Sequence, residues 1–222
     1  MAYAWMPGAK CIRAETDGGP LKGGAPRAVW MTLGTRRRVV SVQSAAERLN
    51  AEGRACHIVW DPMTGAMAQL ISILRAGRAI GAPERLEWQG GTVQERPSRV
   101  NSEGRICAQI GVLADPGEPF TSGPMTGLAA ILDWLDSWHV PRQWPAGRPV
   151  LAGRTTAARS RALWARGGYF GVSQVPECES VGPGAVDTDR LAGAPVVPIS
   201  AAHGSTSQHA IVVAAALSAA VG

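Results

Sequence analysis

Apolar and polar positions along this chain switch between a strand-like and a helix-like period. Ala28–Leu33 is a short apolar run and predicts a strand. From Ser41 to Gly53 the period changes: Val42, Ala45, Ala46 and Leu49 recur at helical spacing, with Ser41 as N-cap and Gly53 as stop. Ala55–Trp60 is rich in strand formers, Asp61-Pro62-Met63-Thr64-Gly65 is a turn, and Ala66–Ile73 is a second strand, so a hairpin is expected with Asp61 capping its turn. Residues 76–104 read as loop, punctuated by Gly90-Gly91 and Pro97. Arg105–Leu113 is almost continuously apolar and predicts a central strand, with Glu103, Arg105 and Asp115 as surface charges at its edges.

The clearest helical pattern is Pro124–Trp138. Leu128, Ile131, Leu132, Leu135 and Trp138 share one face, Asp133 and Asp136 lie off it, and Val140-Pro141 ends it. A further helix is predicted over Thr155–Arg166. Residues 1–25 are Gly-rich and aperiodic and are expected to wrap the surface. This order suits an α/β fold, a mixed central β-sheet flanked by helices. Residues 1–191 form the domain and residues 192–222 a C-terminal extension, set apart by Pro195 and Pro198, with a short apolar helix over Ala210–Val221.

Composition narrows the function classes. The 222 residues are 45% hydrophobic and 18% charged, ordinary for a folded domain, and a net charge of +5 favours anionic partners. No helix-turn-helix, zinc-finger or RNA-binding signature is present, so specific nucleic-acid recognition is not expected. The longest apolar run, Ala210–Val221, is shorter than the roughly 18–20 residues that span a bilayer, so no membrane span is expected. Met1-Ala2-Tyr3-Ala4-Trp5 lacks the basic-then-apolar pattern of a signal peptide, which implies synthesis in the cytoplasm.

The four cysteines, at 11, 56, 107 and 178, include no C-x-x-C pair, and Cys56 and Cys107 fall in apolar runs as small core residues. His57 reads as a hydrogen-bonded core histidine and His139 as a helix-end residue. His203 and His209 lie in the extension. Of the eight Trp, Trp30, Trp60 and Trp164 are expected in the core, while Trp88, beside Gln89-Gly90-Gly91, is a candidate for glycan contact.

Five segments, in register from residue 4 to about residue 190, carry a resemblance: Ala4-Trp5-Met6-Pro7-Gly8-Ala9, Pro26–Thr32, Cys56–Pro62, Asn101–Leu113 and the run Gly168–Asp187. Together they resemble type 2 N-acetylmuramoyl-L-alanine amidases and peptidoglycan recognition proteins, in particular actinobacterial and actinophage endolysin-like members. The resemblance implies the amidase fold and a zinc site. It also shows what is missing, because the family's three ligand positions fall on Met31, Val172 and Gly182, none a zinc donor. Its supporting positions fall on Cys56, Gly111 and Ser180, and Trp30 and His57 complete the vestigial groove.

The resemblance therefore implies a catalytically inactive amidase-fold protein, a pseudoenzyme with no cofactor. Its expected role is a phage- or prophage-encoded virion or tail-type structural or interaction protein, whose partners are particle proteins or further copies of itself met through residues 192–222. One alternative is a non-catalytic peptidoglycan-binding module. The other is an active N-acetylmuramoyl-L-alanine amidase with an atypical metal site. The final site is the virion or the cell wall.

A helix of about a dozen residues is marginal in water unless it docks on something. Removing residues 195–222 is therefore expected to leave a folded monomer and to abolish assembly, as read by light scattering. Unfolding or aggregation of the truncated chain would make the extension part of the core.

Overall fold

The computed structural model describes residues 1–34, 40–81, 84–87, 93–117, 119–150 and 159–193, the spans 84–87 and 93–96 by backbone alone. Strands β1 (Lys10–Cys11), β2 (Arg27–Thr32), β3 (Ile58–Trp60), β4 (Met67–Gln69), β7 (Cys107–Val112) and β8 (Gly168–Gly171) form one mixed sheet, in the order β1-β4-β3-β7-β2-β8. Strands β5 (Glu84–Glu87) and β6 (Val93–Arg96) form a separate antiparallel ribbon. The helices are α1 (Val42–Ala51), α2 (Leu128–Ser137), α3 (Arg161–Ala165) and α4 (Thr188–Leu191). This is the expected α/β architecture with a mixed sheet.

Each predicted element has a physical cause that the structure displays. Ser41 caps α1 by accepting from the Ser44 amide at 3.0 Å, and Val42, Ala45, Ala46 and Leu49 are its buried face. Gly53 stops the helix at φ +63°, a conformation that disfavours side chains. Asp61 holds the hairpin turn by accepting from the Met63 amide and the Thr64 hydroxyl. Helix α2 starts at Leu128 rather than Pro124 and buries Leu128, Ile131, Leu132, Trp134 and Leu135, Trp134 taking the place expected of Trp138, which is only half-buried at the C-cap.

Several expectations change. The N-terminal segment does not merely wrap the surface. Lys10–Cys11 adds an edge strand, and Met6 enters the core, its amide bonded to the buried Gln69 side chain. Tyr3 is tied down by the Trp134 and Trp138 indoles, which both donate to its carbonyl. The loop at 76–104 contains β5 and β6, whose Glu-Arg-Leu-Glu and Val-Gln-Glu-Arg sequences carry too many charges to read as strands. Strand β8 was not expected either. Glu103 is not an edge charge: its carboxylate accepts from Arg161 and from the Trp164 indole. Burial alone would raise its pKa, but these bonds outweigh burial and hold it below its ordinary value. The predicted helix at 155–166 shortens to α3, residues 155–158 lying outside the described ones.

The sheet separates two cores. Ala28, Trp30, Ile58, Trp60, Ile110 and Tyr169 face α2 and α4, and their rings meet edge to face, Trp30–Trp60 at 6.3 Å and Trp30–Tyr169 at 5.8 Å. Val29, Met31, Val59, Cys107, Phe170 and Val172 face α1 and α3.

A buried polar network fixes the segments that cross the second face. Gln109 on β7 accepts from the Ala79 amide and donates to Asn101. Asn101 in turn pairs with both backbone groups of Ile80. His57, fully buried, accepts the Gln109 amide at Nδ1 (3.1 Å) and its Nε2 lies 2.9 Å from the Arg75 carbonyl. Both contacts are satisfied only by a neutral ring protonated at Nε2. Burial pulls its pKa down from 6.5 to about 4.

Below pH 6.5 the unfolded chain therefore binds a proton that the folded chain refuses, so stability falls as pH drops towards 4. The loss is on the order of 3 kcal/mol across that window. Asp17 and Glu103, whose pKa values are lowered, titrate below most of it. Urea unfolding between pH 7 and pH 4.5 is expected to show the slope in the wild type and a flatter one in His57→Gln. Equal slopes would refute the neutral-histidine assignment.

Candidate functional site

A cleft of about 320 Å³ opens at the C-terminal end of β2, a common place for ligand sites in α/β sheets. Its floor is Met31, Leu33, Leu49, Ala79 and Val172, and its rim carries Thr32, Ser180 and Val181 on one side and Arg48, Glu52 and Arg54 on the other. The register explains the convergence. β2 pairs in parallel with β7, setting Met31 beside Gly111, and with β8, setting Trp30 beside Gly171. Because side chains alternate, Met31 and the residue after Gly171, Val172, point to the same face.

The sequence candidates divide into those the cleft gathers and those it does not. Met31, Val172 and Ser180 line it. Gly182 lies against it, since a Cβ built there would be 2.9 Å from Oγ1 of Thr32. Gly111 and Cys56 lie behind Leu33: a Cβ on Gly111 would meet Leu33 at 3.0 Å and Cys56 Sγ at 3.2 Å. Cys56 is fully buried, donates to the Ile58 carbonyl, and has its pKa pushed up to about 12 by burial, so it is packing and not a nucleophile. Trp30 and His57 do not line the cleft. Trp30 faces the opposite core, and His57 is consumed by the polar network. Trp88 and residues 194–222 lie outside the described residues.

The pattern reading missed the rim. Arg48, Glu52 and Arg54 lie at the C-terminal end of α1, off its buried face. The sequence alone carries no signal for them, because they come beside Met31 only through the docking of α1. Arg48 and Glu52 are 3.8 Å apart and both about half exposed, so their pairing is weak.

The donor chemistry does not fit zinc. Thioether, isopropyl and a glycine backbone supply no imidazole, thiolate or carboxylate. Among the described residues no three His, Cys, Asp or Glu side chains gather to hold a metal ion. A side chain at Gly111 would crowd Leu33 and Cys56, which would have to give way by a few tenths of an ångström. Among the described residues the cleft combines an apolar floor with a rim of two arginines, the Glu52 carboxylate and the Thr32 and Ser180 hydroxyls. Among the described residues no helix is long and apolar enough to cross a membrane. Compared with known proteins, the chain matches no family model, no curated protein and no solved structure.

Gly182 sits at φ +108° with Thr32 already against it. An aspartate there is strained, by roughly 1–3 kcal/mol. Gly182→Asp is expected to lower unfolding stability by that amount, whereas Ser180→Asp on the rim is near neutral. Equal stability of the two variants would show that the turn tolerates a side chain.

Proposed function

We propose that this chain is a catalytically inactive protein of the amidase architecture that acts by binding, as a structural or interaction protein of a phage or prophage particle. One observation carries the reading. Met31 on β2 and the stretch from Val172 to Gly182 lie far apart in the chain and are matched to the family only by sequence, yet Met31, Val172 and Ser180 line one cleft with Gly182 against it. Chance correspondence of unrelated segments gives no reason for that convergence. The residues there are non-ligating, and the space behind them is filled by Leu33 and Cys56. Hydrolysis of an amide by such a site needs a Lewis acid or an acid/base pair to activate water. Neither is offered by the side chains that line the cleft floor.

The particle assignment leans on the endolysin-like lead-in at residues 4–9 and on the extension. Arg142 donates to the Ala192 carbonyl and Leu191 is fully buried, so the described domain is tied together up to the start of the extension, which fits residues beyond it serving assembly. A second reading, a peptidoglycan-binding module, is favoured by the survival of an open cleft. With an apolar floor replacing polar anchors, binding to wall material is expected to be weak, roughly −4 to −6 kcal/mol.

Digestion of purified peptidoglycan, followed by chromatography of released stem peptides, tests the central part. The expected result is no release above buffer, with or without added zinc. Zinc-dependent release would contradict the proposal and favour an active amidase.

A further inference from the structure

The cleft does not end at Arg54. Glu52 and Arg54 also line a second cavity of about 340 Å³, reaching Arg78, Gly81, Pro97 and Ser98. Pro97 and Ser98 in turn line a third, of about 330 Å³, with Lys22 and Arg99. The three cavities are neighbours along one surface, each sharing wall residues with the next, and together they outline a groove. Among the described residues its lining holds five cations, Lys22, Arg48, Arg54, Arg78 and Arg99, and one carboxylate, Glu52.

That imbalance is met only in part: Arg48 lies 3.8 Å from Glu52, and the Asp17 carboxylate also bears on Arg78. Arg78 spends its recorded hydrogen bonds on the Gly53 and Asp17 carbonyls, and the Asp17 carboxylate is held bidentately by Arg75. Lys22, Arg48 and Arg54 are exposed. The groove is also built rather than incidental. Ala79, Ile80, Ser98 and Asn101, at or beside its wall, are pinned by the buried Gln109–Asn101 pair.

We infer that this groove takes an extended acidic polypeptide segment of a protein partner, with an apolar side chain seated on Met31, Leu49 and Val172 and carboxylates running past Arg54 towards Lys22. The inference deepens the interaction reading above and rests on it. Charge complementarity selects an anionic partner. A polypeptide suits the groove because its apolar end requires an apolar anchor, as in peptide-binding grooves generally. Single-stranded nucleic acid relies on aromatic stacking, and no aromatic ring lines the described groove.

The test uses the full chain and a fluorescent peptide of about ten residues, one Leu followed by alternating Ser and Asp or Glu. Anisotropy is expected to show binding that weakens about tenfold or more between low and high salt. Leu→Ser in the peptide and the paired surface changes Lys22→Glu with Arg54→Glu are each expected to weaken it severalfold, at unchanged melting temperature. No binding of the peptide, or binding indifferent to the two charge reversals, overturns the inference. So does an oligothymidylate that binds more tightly than the peptide. Peptidoglycan digestion on the same protein separates the two failures: cleavage sinks the inactive-amidase reading, whereas peptide failure without cleavage sinks only this inference.

Discussion

Everything in this molecule depends on how β2 is held. It lies between β7 and β8, parallel to both, with Ala28, Val29 and Trp30 wholly removed from water. A strand buried on both faces must pair its backbone within the sheet and satisfy two different cores at once. Arg27, Val29 and Met31 serve the α1 and α3 side, where the Arg27 guanidinium lies 4.2 Å from the centre of the Trp164 ring. Ala28 and Trp30 serve the α2 side. A slip of one residue would turn Trp30 into the other core, where Val29 and Met31 now sit, and is disfavoured by volume. This fixed register is what brings Met31, Gly111 and Val172 together.

The cleft follows from the same constraint. At the end of β2 the chain turns away and α1 ends nearby, leaving a depression that a site would ordinarily occupy. Grouped ligating side chains without their ion are costly, since each needs a partner in a half-buried setting. Methionine and valine remove that cost and extend the apolar core into the floor. On the reading proposed above, exchanging donors for packing in this way gains stability and loses the chemistry. The cleft that the structure shows has an apolar floor and a rim with Arg48 and Arg54.

The legible part of the fold was the part governed by periodicity. The α1 stripe, the Asp61 turn and the β7 run are each written in consecutive residues, and each appears where the pattern put it. The illegible parts depend on distant partners. Strand β8, Gly-Tyr-Phe-Gly, is too short and glycine-rich to declare itself, and it exists because β2 offers an edge. The β5–β6 ribbon is masked by its charges. For the site, Met31, Val172, Ser180 and Gly182 fall together at the cleft, whereas Trp30 and His57 follow the core reading of their residues rather than the groove reading of the resemblance. Trp30 belongs to the opposite face by strand alternation, and His57 is claimed by Gln109 and Arg75. Arg48 and Arg54 were invisible because they belong to the cleft only once α1 has docked.

The central claim is that register, and its most direct measurement is cross-relaxation by NMR on a sample labelled at methionine, leucine and valine methyls with protonated aromatic rings. Met31 Cε is expected to give cross-peaks to the Val172 methyls and to Leu49, and none to the Trp60 or Tyr169 rings. Contacts of Met31 with those rings, and silence towards Val172, would place β2 one residue out of register. The cleft, with the functional account built on it, would then fall.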